Sequence, residues 1–209
     1  MTGLFSRGIF SRSGWGRVFA PLVRWLVKHG VTANTVTVVG TIGAMAGALG
    51  FYTRGVFFVG TLIIWGFTML DSVDGAVARA QGGATVFGAV LDSSLDRIVD
   101  AAVFGSVLWW FAGPGDSRPL VLACLLNLVF GSVVSYIKAR AEGAGLTCNV
   151  GLIERPQRLT IGLAAVGLDG LGLPYVLAVA FWALVVLSAV TAGQRLIEVH
   201  RQARGVPTA

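Results

Sequence analysis

Charge is scarce in this 209-residue chain: Asp, Glu, Lys and Arg together make up 12% of it, about half the share usual in soluble domains. Hydrophobic residues account for 55%, and the mean hydropathy is +0.78. So little polar surface cannot cover a water-exposed globule, which excludes a soluble domain, a disordered chain and a collagen. Cysteine is nearly absent too. Cys124 falls inside an apolar run and Cys148 in a polar loop, with no third ligand nearby, so neither a disulfide framework nor a thiolate metal site is expected. His29 and His200 stand at helix ends in basic surroundings and read as interfacial residues. No polar stretch is long enough to form a separate soluble module, so one membrane domain is expected.

What the chain does have is long runs without charge. A bilayer core of about 30 Å takes about 20 mostly apolar residues per helix. Six segments meet or approach that length: Val31 to Tyr52, Gly55 to about Ala80, about Ala84 to Ala112, Pro119 to about Ala141, about Pro156 to Leu168, and Leu171 to about Val199. The fifth is short. Turn-rich breaks separate them at Thr53-Arg54-Gly55, Gln81-Gly82-Gly83, Gly113-Pro114-Gly115-Asp116 and Asp169-Gly170. The expected fold is therefore all-α and integral to the membrane, with six transmembrane helices over residues 31–209. Residues 1–30 form a cytosolic segment ahead of them, in which apolar residues between Leu4 and Lys28 recur at helical spacing among arginines. That pattern suits an amphipathic helix lying on anionic lipid.

A net charge of +6 would suggest nucleic acid in a soluble protein, but here the basic residues are spread between apolar runs and report topology instead. With a cytosolic N-terminus, fourteen Lys and Arg fall on the inner side, and only Arg54 and Arg118 on the outer. The same topology puts the C-terminus in the cytosol. Partners are then membrane lipids and small substrates, with no nucleic acid among them.

Of only ten acidic residues, Asp71, Asp74, Asp92 and Asp96 flank a single tight turn between two hydrophobic segments. Asp71 and Asp74 are three apart and Asp92 and Asp96 four apart, so each pair shares a helix face. With the turn at Gly82-Gly83, antiparallel helices let the four carboxylates converge. At membrane depth they would repel one another unless cations neutralise them, and hard oxygen ligands suit Mg²⁺ or Mn²⁺, with room for two ions. Gly75, Ala78 and Gly88 lie on the same faces and would let a ligand approach the backbone. A divalent-cation transporter would use such a quartet as its transport site, but no internal repeat or broken midplane helix is evident.

The run Asp71-Ser-Val-Asp74-Gly75-Ala-Val-Ala78-Arg79, followed after eight residues by Gly88-xxx-Asp92-xxx-Asp96, resembles the signature of the CDP-alcohol phosphotransferases at every fixed position. The resemblance implies transfer of a phosphatidyl group from CDP-diacylglycerol to an alcohol with release of CMP, by a homodimer whose site faces the cytosol. It further implies that Asp71, Asp74 and Asp92 bind metal and that Asp96 both binds metal and acts as general base. Gly75 and Ala78 would border the cytidine and Arg79 would meet the diphosphate. Asn34 and Thr37 resemble a further nucleotide-side position.

A second set of charges concerns the acceptor: Lys138, Arg155, Arg158 and Arg195, all expected at the cytosolic side. Guanidinium forks match phosphate oxygens in pairs, so several arginines beyond those serving the diphosphate imply an acceptor that itself carries phosphate. The stretches Ser135 to Leu146 and Ile153 to Leu159 are similar to the actinobacterial branch of the family that makes phosphatidylinositol phosphate, in a bacterial plasma membrane, which implies inositol 1-phosphate. Glycerol 3-phosphate, the acceptor of the family's phosphatidylglycerol-phosphate synthases, would need similar cationic contacts. Asp100 continues the Asp92-Asp96 face by another turn, where it can pair with Arg97 or with a neighbouring helix, and is assigned no part in the site.

Overall fold

The computed structural model of the protein describes residues 20–83 and 85–205; the side chains of Asp71 and Ser72 stand outside that description. Residues 4–19 of the expected amphipathic segment also lie outside the described residues. Regular structure among the described residues is entirely helical: α1 (Ala20–Lys28), α2 (Ala33–Phe51), a 3₁₀ turn (Tyr52–Arg54), α3 (Phe57–Thr68), α4 (Leu70–Ala80), α5 (Val86–Ala112), α6 (Arg118–Gly143), α7 (Arg155–Asp169) and α8 (Val176–Ala203). Among the described residues, four stretches are long and apolar enough to cross a membrane: Ala33–Arg54, Phe57–Ala80, Arg118–Gly143 and Val176–Ala203.

The other two expected segments fall short for different reasons. Helix α5 has 27 residues but carries Asp92, Asp96, Arg97 and Asp100 along its length. Helix α7 has 15 residues, about 22 Å at 1.5 Å per residue, which is less than the hydrocarbon core. Local chemistry sets the boundaries. Pro119 sits in the first turn of α6, where its missing N–H costs nothing. Helix α8 begins at Val176, five residues later than the apolar run, because Gly172 and Tyr175 both take positive φ (83° and 64°) and hold the chain in a turn.

By internal contact the chain divides into two compact units, Met1–Ala46 with Ile63–Val99 and Gly47–Leu62 with Asp100–Ala209. In the first, α1 packs against α4. Val36, Val73 and Val77 are buried there, with Val23, Leu26 and Val27 of α1 packed against them. The apolar side of α1 is thus partly taken up by protein, while Leu22, Trp25, Arg24 and Lys28 are exposed. Helix α2 approaches Phe67 closely at Gly43, where a Cβ would overlap the aromatic ring. Small residues of this kind let membrane helices pack by van der Waals contact, since lipid is as apolar as a leucine side chain.

In the second unit, α8 packs along both α6 and α7. Phe104 and Phe181 are fully buried, with ring centroids 5.4 Å apart. The loop between α6 and α7 is fastened to α8 at three levels. Thr191 Oγ1 accepts from Leu152 N (3.1 Å) and Ile153 N (3.2 Å), Arg195 Nε donates to Val150 O (3.0 Å), and Gln202 Nε2 donates to Thr147 O (2.7 Å).

The close approach at Gly43 gives a stability prediction. Gly43→Val forces the added methyls into the Phe67 ring and costs about 1–3 kcal/mol by overpacking, read as a lower unfolding temperature in detergent; an unchanged transition would show that α2 and Phe67 are not in contact there.

Candidate active site

The signature residues of the first unit are carried by α4, the N-terminal half of α5 and the start of α2. On α4, Asp71, Asp74, Gly75 and Ala78 fall at i, i+3, i+4 and i+7, one face of the helix. Helix α5 opens with a Thr85 hydroxyl accepting from Gly88 N (2.9 Å), a side-chain cap that satisfies one of the exposed first-turn donors. That cap fixes the phase in which Gly88, Asp92 and Asp96 follow one another by successive turns.

Asp74 is 9% exposed, and the Thr37 hydroxyl donates to its Oδ2 at 2.6 Å. The same hydroxyl lies 3.1 Å from Ala33 O. Asn34 meets the other side of the motif, since a Cβ on Gly88 would stand 3.1 Å from Asn34 Oδ1. The structure therefore brings Thr37 to Asp74 and Asn34 to Gly88, two pairings that join the start of α2 to both motif helices. Asp92 and Asp96 are half-buried, and Arg97 Nη2 stands 4.0 Å from Asp96 Oδ2. Arg79 is exposed and leans over Gly75, whose Cβ position would be 3.5 Å from Arg79 Nη1.

Among the described residues no three acidic, histidine or cysteine side chains come together as a metal site; the Asp71 side chain is not one of them. The donor set nevertheless has the right chemistry for a hard divalent cation. A hydroxyl donor such as Thr37 orients a buried carboxylate without neutralising it, and aspartate oxygens are the ligands Mg²⁺ and Mn²⁺ prefer.

The second unit holds the basic residues. Glu154 caps α7 in a reciprocal box with Gln157, which puts Arg155 in the first turn and Arg158 one turn further on the same side. Two cations at a helix N-terminus oppose the macrodipole, and Asp100 of α5 answers both. Its Oδ2 pairs with Arg158 Nη2, and its Oδ1 lies 3.5 Å from Arg155 Nε. Arg158 is 4% exposed. Its Nη1 donates to Asn127 O at 3.2 Å, its guanidinium carbon lies 5.7 Å from the centre of the Phe104 ring, and it fills the space where Gly131 has no side chain.

Arg195 is equally buried but is met differently: Nε donates to Val150 O and Nη1 to Val134 O at 2.7 Å. These are carbonyl dipoles and leave its charge unneutralised. Lys138 lies one turn beyond Val134 on α6, more open, with Glu142 at 3.8 Å. Along α6, Asn127, Gly131, Val134 and Lys138 thus form one stripe that receives Arg158, then Arg195, and ends in Lys138. Asp100 and Asn127 are the partners that sequence reasoning left out. Asp100 had one signal, its helical phase, whereas the Asn127 carbonyl carries no side-chain signature.

The family model described as CDP-alcohol phosphatidyltransferase matches residues 30–191. The chain belongs to the CDP-alcohol phosphatidyltransferase family, and it is an integral membrane enzyme. Among its relatives, the phosphatidylinositol phosphate synthase of Mycobacterium marinum is 48% identical over 192 residues, 90% of this chain and 82% of that protein. The Corynebacterium glutamicum protein of the same name is 40% identical, over 91% of this chain and 87% of its own. Of solved structures, Mycobacterium tuberculosis phosphatidylinositol phosphate synthase with CDP-DAG bound superposes with a TM-score of 0.84 at 46% identity, covering 88% of this chain and 94% of that one. The same enzyme in complex with manganese and citrate gives 0.82 at 47%, covering 86% and 87%.

Removal of one partner from the Asp100 pair tests its burial. Arg158→Met removes the contact to Asp100 Oδ2 while Arg155 stays at 3.5 Å from Oδ1, and costs about 3–5 kcal/mol, measurable as loss of thermal stability in detergent. Wild-type stability in that variant would contradict a buried ion pair.

Proposed function

We propose that this enzyme transfers the phosphatidyl group of CDP-diacylglycerol to inositol 1-phosphate, giving phosphatidylinositol phosphate and CMP. The observation that carries the reading is the complete aspartate motif, Asp71, Asp74, Asp92 and Asp96, in a chain 40–48% identical to phosphatidylinositol phosphate synthases. Those four carboxylates would hold the metal, two Mg²⁺ or Mn²⁺ ions. Bound divalent cations supply Lewis-acid neutralisation of the donor's diphosphate and of departing CMP.

The chain's own residues do the rest. Gly75 and Ala78 leave room for the cytidine, with Asn34, Thr37 and Gly88 on the same nucleotide side, and Arg79 contacts the diphosphate. Asp96 takes the proton from the acceptor hydroxyl as the oxygen attacks the lipid-bearing phosphorus and the bond to CMP breaks. No covalent enzyme intermediate is needed. Lys138, Arg155 and Arg195 meet the acceptor's phosphate, and Arg158, itself paired with Asp100, adds to their positive charge. The unneutralised guanidinium of Arg195 and the N-terminus of α7 behind Arg155 both favour an anion there.

In the membrane the reading comprises six transmembrane helices over residues 31–209, α5 and α7 included, in a homodimer with both termini and the site cytosolic. An interfacial amphipathic segment over residues 1–30 completes it. The exposed Trp25, Arg24 and Lys28 of α1 support that last element.

The direct test is CMP release by purified protein with Mg²⁺ and CDP-diacylglycerol, comparing inositol 1-phosphate, glycerol 3-phosphate and free inositol. Release that depends on inositol 1-phosphate is expected. Dependence on glycerol 3-phosphate would instead make the enzyme a phosphatidylglycerol-phosphate synthase. In the same assay, Asp96→Asn is expected to lower kcat about 100- to 10,000-fold in a protein that still folds. Arg195→Gln should raise the acceptor KM far more than the donor KM; equal effects on the two would remove Arg195 from acceptor binding.

A further inference from the structure

Asp100 lies in the middle of α5 and is 5% exposed, yet the transfer reaction gives it no task. A lone carboxylate in such a place is costly, and what keeps it there is the pair of arginines from α7. One oxygen meets Arg158, the other Arg155. The two arginines differ in how firmly they are held. Arg158 is fixed on four sides, by Asp100, the Asn127 carbonyl, the Phe104 ring and the α6 backbone at Gly131. Arg155 is the more exposed of the two, its side chain 15% accessible against 5% for Arg158.

The bonds to Arg158 therefore set the orientation of the Asp100 carboxylate, and its second oxygen sets Arg155. The three side chains carry a formal charge of +1 at the N-terminus of a 15-residue helix. An incoming phosphate meets the guanidinium of Arg155 and the backbone donors of that helix end. Without the carboxylate the two guanidinium groups would lose the contact that holds them together across one turn of α7.

We infer that Asp100 is a positioning residue for the acceptor: anchored on Arg158, it holds Arg155 in the place where Arg155 meets the acceptor's phosphate. This inference rests on the reading of Arg155 as an acceptor contact. Arg158 serves as the anchor of the lever and Arg155 as its working end.

The test uses the full-length protein in detergent with Mg²⁺, CDP-diacylglycerol and inositol 1-phosphate, measuring initial CMP release while each substrate is varied in turn. Asp100→Asn is expected to raise the acceptor KM about tenfold, within the range by which members of one ion-pair network affect each other, with the donor KM unchanged. Asp100→Glu keeps the charge opposite Arg158 but displaces it by one methylene, and should raise the acceptor KM by a smaller factor. Arg155→Gln raises it as well, and Asp100→Asn added to Arg155→Gln raises it no further, because both act through one contact.

A wild-type acceptor KM in folded Asp100→Asn, or in Asp100→Glu should the asparagine variant not fold, overturns the positioning role if Arg155→Gln still raises that KM. The acceptor reading then stands without Asp100. A wild-type acceptor KM in Arg155→Gln itself removes the acceptor reading at that residue, and the inference falls with it. Equal rises in donor and acceptor KM for Asp100→Asn would mark a general structural defect and also overturn the proposal.

Discussion

A charge embedded in an apolar helix has to be answered from within the protein, and this chain has only ten acids with which to do so. The described structure uses three kinds of answer. Asp100 pairs with both α7 arginines, Asp74 takes a hydroxyl from Thr37, and Arg195 takes carbonyls from Val134 and Val150. Each answer joins helices distant in sequence. Apolar contact alone would not specify those joints, since lipid serves a leucine or a valine as well as protein does. The polar fastenings therefore carry the specificity of the fold inside each unit.

The same distinction separates structural from reactive charge. Arg158 is neutralised, buried and locked, which suits an anchor. Arg195 is buried beside dipoles only, so its charge persists and favours an anion. At the aspartate motif Thr37 orients Asp74 through an uncharged hydroxyl, and in the proposed reading divalent cations bind the carboxylates and also serve the donor's diphosphate. Structure and chemistry thus draw on one economy of charge.

Much of the fold was legible in hydropathy. Charge-free runs located the helices to within a few residues, with α6 at Arg118–Gly143 against an expected start at Pro119. The exceptions have local causes. Helix α8 starts late because Gly172 and Tyr175 hold positive φ. Of the six expected spans, α5 is interrupted by charge and α7 is short, so length and hydropathy support only four. Of the candidate site, the aspartates stood out because so few acids exist and four of them flank one turn. For Asp100 a partner on a neighbouring helix was one expectation, but which residue was not legible. Arg158 lies 58 residues away, and nothing in its spacing distinguishes a guanidinium bound for a carboxylate from one bound for a substrate. The links from Thr37 to Asp74 and Asn34 to Gly88 likewise appear only when α2 is set against α4 and α5.

The proposed reaction depends on the aspartate motif holding divalent metal. The most direct measurement is Mn²⁺ binding by electron paramagnetic resonance, comparing wild type with Asp92→Asn in the presence of CDP-diacylglycerol. Saturable Mn²⁺ binding in the wild type, lost in a variant that remains folded, is the predicted result. Undiminished binding in Asp92→Asn, or none in folded wild type, would contradict it.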